Sequence, residues 1–153
     1  MGGAMKRITV GILLLAVSLL AAAQEITYRK HIRPLWEDRC ERCHGSSAPY
    51  LGVFEENKKD YEADDKGPRM DSYADLIYFI GWPDTGAIMR RLDDGKSKSD
   101  GKPGNMYKNL GRNEEERQTN LRLFKQWVGE GSWIMKKPDA ITKEELVKIK
   151  TRY

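Results

Sequence analysis

Cysteine and histidine are scarce in this chain of 153 residues, which has two of each: Cys40, Cys43, His31 and His44. A structural zinc site normally takes four protein ligands. It would need all four of these side chains, and His31 stands nine residues before Cys40, an unusual spacing. No stretch alternates between apolar and polar residues well enough to form a sheet. The βαβ setting of a thioredoxin-like dithiol is therefore missing. There is no internal repeat and no low-complexity tract. No block carries one sign of charge either: Lys58-Lys59 stands beside Asp60, and Asp93-Asp94 close to Lys96. This excludes a basic stripe for nucleic acid and describes a solvated mixed surface.

Long apolar runs are also lacking, with one exception. Ile8 to Leu20 is apolar but for Thr9, Gly11 and Ser18; Lys6 and Arg7 precede it and Ala21-Ala22-Ala23 follows it. Positive start, apolar middle and small-residue end make residues 1–23 a secretory signal peptide. The run is short of the roughly 20 residues of a bilayer-spanning helix, so an uncleaved anchor is the lesser reading. No cysteine lies near the cleavage site, which argues against a lipoprotein. Cleavage leaves residues 24–153 as a single domain with no stable membrane insertion. That part holds 25 basic and 23 acidic residues, a net charge of +2 against +4 for the whole chain. Export to the periplasm, or otherwise out of the cytoplasm, places Cys40 and Cys43 in an oxidising compartment.

The exported part reads as all-α, with short helices joined by long polar loops. A first helix is expected from Pro34, carrying "PLWEDRCERC", with Tyr28 and Ile32 packing back on it. Gly45 to about Asp71 reads as a long loop that includes the charged stretch 55–69. A loop of that length either has a function or wraps something, such as a flat cofactor. "SYADLIYFIG" is a second helix capped by Ser72, and Thr85 to Leu92 a third with Asp84 as its cap. Asn113 to Val128 is the strongest helix, with Leu121, Phe124 and Val128 at helical spacing. "ITKEELVKIK" closes the chain as a short helix whose narrow apolar stripe predicts weak docking.

Cys40, Cys43 and His44 form C-x-x-C-H, the attachment signature of c-type haem. Residues three apart on a helical turn share one face. Two thiols so placed can each add to a vinyl group on one porphyrin edge. The adjacent imidazole then reaches the iron as proximal ligand, and its other N–H needs a carbonyl partner. Pro49 or a neighbour in the following loop could supply it. For the distal side the exported part offers Met70, Met89, Met106, Met135 and His31. Methionine suits electron transfer, while an open site would admit small molecules. Met89 falls among apolar helix residues as core filler, Met70 precedes a cap, and Met135 lies in a lysine-rich tail. Met106 sits in the irregular loop "KPGNMYKNLG", free to point at a flat ligand.

With "HIRPLWEDRCERCHG", "SYADL", "GNMYKNLG" and "WVGEGSW", the sequence resembles the monohaem cytochromes c of the class I type over about residues 27–133. The resemblance implies a class I cytochrome c fold around one covalently bound haem c, with 134–153 as a helical extension. It implies thioethers at Cys40 and Cys43, proximal His44 and distal Met106 on the haem iron. It also implies that the first and last main helices cross at right angles beside the haem, with Phe124 and Trp127 in the crossing. Many members have Met-Pro at the distal ligand, whereas Tyr107 follows Met106 here. The expected function is that of an exported electron carrier rather than an enzyme, docking transiently with redox partner proteins, to which Lys96, Lys98 and Lys102 could contribute. The alternatives are a gas sensor or small-haem enzyme with an open distal site, and a haem subunit of a larger redox complex.

Overall fold

Thr27 starts the first helical segment by accepting a hydrogen bond from the Lys30 N–H. The computed structural model describes residues 25–153, so the expected signal peptide lies outside the described residues. A π-helical turn, Tyr28–Ile32, runs directly into α1 (Arg33–Arg39), with Pro34 in its first turn. The helical segment thus begins before Pro34, because Thr27 supplies the cap that Pro34 itself lacks. Cys40 breaks the helix at φ −120°, and one further turn, α2 (Glu41–His44), carries the histidine.

The segment 45–71, expected as a loop, contains two helices, α3 (Leu51–Glu56) and α4 (Lys58–Ala63). They fold on each other across Asn57, with the buried Phe54 ring stacked on Tyr61 at 6.2 Å. Their remaining surface is largely charged and exposed, which hid the helical period: Leu51, Phe54 and Tyr61 are little signal among so many charged neighbours. α5 (Tyr73–Ile80) follows, capped by Ser72, whose hydroxyl accepts from the Asp75 N–H. α6 (Ala87–Leu92) starts later than expected and is not capped by Asp84. Gly86 stands at the cap with φ +75°, a conformation glycine adopts at no steric cost. Asp84 instead pairs with Arg90 at 3.2 Å, and the Thr85 hydroxyl donates to the Gly81 carbonyl.

After the loop 93–106 comes a 3₁₀ turn, Tyr107–Leu110, and then α7 (Glu114–Val128). Asn113 caps α7 by accepting from Glu116 N–H at 2.9 Å, and Glu114 to Glu116 suit its positive end. Leu121, Phe124, Trp127 and Val128 are all buried. Each such side chain contributes about 1.5–3 kcal/mol by leaving water. α7 packs on the opening turn, where Trp127 meets Tyr28 at 6.2 Å, and on the 3₁₀ turn; α5 packs on α6.

The extension is bound more firmly than its narrow stripe predicts. Only α8 (Lys143–Leu146), with a Thr142–Glu145 capping box, is helical in it besides a 3₁₀ turn at Pro138–Ala140. Its strength lies in the backbone instead. Lys150 N–H donates to Val128 O (2.8 Å) and Thr151 N–H to Trp127 O (3.0 Å). Arg152 O accepts from Tyr28 N–H (2.7 Å) and from the Trp127 indole (2.8 Å), while Tyr73 Oη donates to Thr151 O (2.6 Å). The described residues contain helices and no strand, as expected for an all-α fold, and no helix among them is long and apolar enough to cross a membrane.

Candidate haem site

His44 ends α2 with its imidazole buried. Nδ1 lies 2.8 Å from the Pro68 carbonyl oxygen. A carbonyl only accepts, so Nδ1 carries the hydrogen and Nε2 keeps the lone pair that a metal would use. The segment 67–70 straps across the motif: Gly67 N–H donates to Cys43 O (2.9 Å) and Met70 N–H to His44 O (2.8 Å). A Cβ on Gly67 would lie 2.6 Å from Nδ1 and 3.0 Å from Nε2 of the ring, so only glycine lets the strap pass. Pro68, not Pro49, therefore supplies the carbonyl, while Pro49 O accepts from Arg69 N–H at 2.8 Å. Arg69 in turn clamps Asp71 through two bonds of 2.7 and 2.8 Å. Burial lowers the pKa of His44 against the opposing pull of the Pro68 bond, which favours the neutral ring a metal needs.

Cys40 and Cys43 are free and half-buried. Burial, with Cys43 adding to it, pushes the Cys40 thiol up to about 12. A charged thiolate is disfavoured there and an uncharged thioether is not.

Both cysteines and His44 line a cavity of about 520 Å³. That volume falls within the roughly 300–1,000 Å³ of small-molecule and cofactor sites. Trp36, Leu76, Phe79, Ile88, Leu92 and Phe124 give it apolar walls from four helices, and Leu51 and Phe54 close it from α3. Two of the methionines reach the wall, Met70 and Met106. Met70 belongs to the strap that holds His44, whereas Met106 comes from the separate loop between α6 and α7. The Met106 sulfur accepts from the Asn109 amide at 3.5 Å, and Met106 N–H donates to Arg91 O at 3.0 Å. Met89 is core, as expected, with its sulfur accepting from Ile134 N–H at 2.9 Å. Met135 and His31 are not among the lining residues; His31 Nδ1 accepts from Thr27 N–H at 3.1 Å.

The donor set fits a covalently held haem. Two thiols and an oriented imidazole stand on one wall, and a thioether sulfur comes from an independent loop. Gly67, Pro68 and the α3 residues were not foreseen as contributors. Gly67 and Pro68 lie more than twenty residues from His44 in a stretch without periodicity. The lysines of the methionine loop are partly engaged within it: Lys96 pairs with Asp94 (3.1 Å), Lys98 with Asp100 (3.6 Å).

A family model described as PccH cytochrome c matches residues 27–153. The match includes the extension, which the sequence resemblance had left beyond position 133. Among solved structures, the chain is similar to the monoheme cytochrome PccH from Geobacter sulfurreducens. The two are 53% identical with a TM-score of 0.79, over 85% of this chain and 100% of that one. No curated protein matches. The C-x-x-C-H wall, the all-helical fold and a match that runs from the first helical turn to Tyr153 agree, and the chain belongs to the PccH cytochrome c family of haem-binding electron-transport proteins.

Proposed function

We propose that this protein is an exported carrier of single electrons. It holds one haem c through thioethers at Cys40 and Cys43, with His44 as proximal and Met106 as distal ligand. The observation that carries the reading is the meeting of these four side chains on one cavity from two independent segments. Haem c, when bound, supplies a one-electron ferric–ferrous couple. The chain's own residues do the rest. Pro68 O and Gly67 orient the imidazole, the apolar walls exclude water, and the Met106 loop offers a neutral sulfur that favours the reduced state. The export signal at 1–23 supports maturation outside the cytoplasm. The cavity rim bears charges of both signs, including Glu55, Lys58, Glu62 and Lys108. Transient docking of a redox partner there would weaken as salt rises.

Optical spectroscopy of the periplasmically matured protein tests the reading. One haem per chain is expected by pyridine haemochrome assay. A far-red band of methionine-to-ferric-iron ligation is expected in the unmutated protein and in Met70→Ala, and is lost in Met106→Ala. A high-spin ferric spectrum that shifts on adding cyanide to the unmutated protein would sink the carrier in favour of an open-site sensor or enzyme.

A further inference from the structure

We infer that Asp93 is the positioning residue of the distal side, a fully buried carboxylate that ties the methionine loop to Trp133. The inference rests on Met106 as distal ligand. Asp93 is 0% exposed, although it lies in "LDDGKSKSDG", where it reads as a solvated charge. Its Oδ2 accepts from Gly95 N–H (2.9 Å) and its Oδ1 from the Trp133 indole Nε1–H (3.0 Å). Its backbone carbonyl accepts from Gly104 N–H (2.8 Å). Two residues away, Arg91 O accepts from Met106 N–H (3.0 Å). One residue thus holds the first turn of the loop through its side chain and the returning arm of the loop through its backbone. Arg91, two residues earlier, holds the Met106 backbone.

The loop has little room to close in another way. A Cβ on Gly104 would lie 2.5 Å from Arg90 O, and one on Gly95 would lie 2.8 Å from the Gly101 carbonyl carbon. Trp133 is itself fixed, with the Lys125 ammonium 5.3 Å from its ring centroid. Taking a carboxylate out of water is costly unless hydrogen bonds satisfy it. Here two N–H dipoles do so, one from the loop and one from beyond α7. The arrangement specifies one register for the loop, and hence one backbone position from which Met106 presents its sulfur. It also gives the second tryptophan of "WVGEGSW" a role: an N–H donor to the distal loop.

Asp93→Asn keeps the shape but turns one acceptor into a donor. Whichever way the amide flips, its NH₂ group faces Gly95 N–H or Trp133 Nε1–H. Trp133→Phe removes the indole N–H together with part of the bicycle and keeps a six-membered aromatic ring in place. In the ferric holoprotein, Asp93→Asn is expected to bind cyanide about ten- to a hundredfold faster than the unmutated protein, the range for losing a hydrogen bond to a charged group. Its far-red band is expected to weaken, and Trp133→Phe to move both readouts in the same direction by less. If both variants bind cyanide at the unmutated rate with an intact band, whatever their melting temperatures, Asp93 serves stability alone and the inference is overturned. If Asp93→Asn does not mature, Trp133→Phe decides by the same two readouts. A missing far-red band in the unmutated protein overturns the Met106 reading and this inference with it; an intact band lost in Met106→Ala leaves that reading standing whichever way Asp93 is decided.

Discussion

His44 and Met106 stand on the same cavity and are held in different ways. The imidazole is buried and bonded to Pro68, and its backbone and that of Cys43 are strapped by residues 67–70. Met106 is half-buried, and its sulfur has only the weak Asn109 contact at 3.5 Å. Its position is inherited from backbone bonds, its own N–H to Arg91 O and the Gly104 N–H to Asp93 O, whose acceptors lie fifteen and thirteen residues before it. The imidazole is oriented by direct contact with its ring; the Met106 sulfur is oriented through the loop that carries it. Damage should therefore differ in kind. On the proposed ligation, changes around His44 should cost attachment and folding, and changes around Met106 should open the iron to outside ligands.

The sharpest test sets two close approaches of glycine against each other. Gly67→Ala puts a methyl group into the imidazole and should destabilise the holoprotein by about 3 kcal/mol or more, seen as lost haem-stained protein and a lowered urea midpoint. Gly104→Ala presses instead on the Arg90 and Arg91 carbonyls and should cost about 1–3 kcal/mol. Haem should stay attached in that variant while cyanide binding accelerates. Equal cyanide rates in the two variants would abolish the distinction.

Asp71→Asn probes the strap through its pH dependence. The Arg69 hydrogen bonds hold the Asp71 carboxyl below its ordinary value of 3.8. A carboxyl with a depressed folded pKa adds stability that is fully present above 3.8 and lost as pH falls through the folded value. The unmutated protein should exceed Asp71→Asn by about 1 kcal/mol at neutral pH, and the difference should vanish on acid titration below pH 3.8. A constant difference across that range would deny the pair its part. The smallest effect is expected at Asn109→Ala, within about 0.5 kcal/mol in stability, because a thioether is a weak acceptor. A large rise in cyanide rate there would show that the sulfur is held directly after all.

The same contrast explains what could be read from the sequence. Cys40, Cys43 and His44 fall within five consecutive positions, so their chemistry is complete within one short stretch. Met106 stood out because Pro103 and Gly104 remove it from any helix. The long helix was legible at Leu121, Phe124 and Val128 because one face of it supplies much of the core. Pro68, Gly67 and Asp93 were not legible, because each matters through a partner distant in sequence. Nothing local distinguishes the buried Asp93 from its neighbour Asp94, which takes Lys96 and the Gln118 amide. α3 and α4 escaped for a different reason: their apolar side is only Leu51, Phe54 and Tyr61 wide, and a cavity rather than a second helix lies beneath it.

The bonds from Arg152 to Tyr28 and Trp127 also bear on time. Arg152 and Tyr28 stand more than a hundred positions apart, so the chain must close a long loop before their bond stabilises anything, and contacts of that separation slow folding. The opening turn, already packed on α7, gains its backbone bonds to the end of the chain only when residues 152 and 153 arrive.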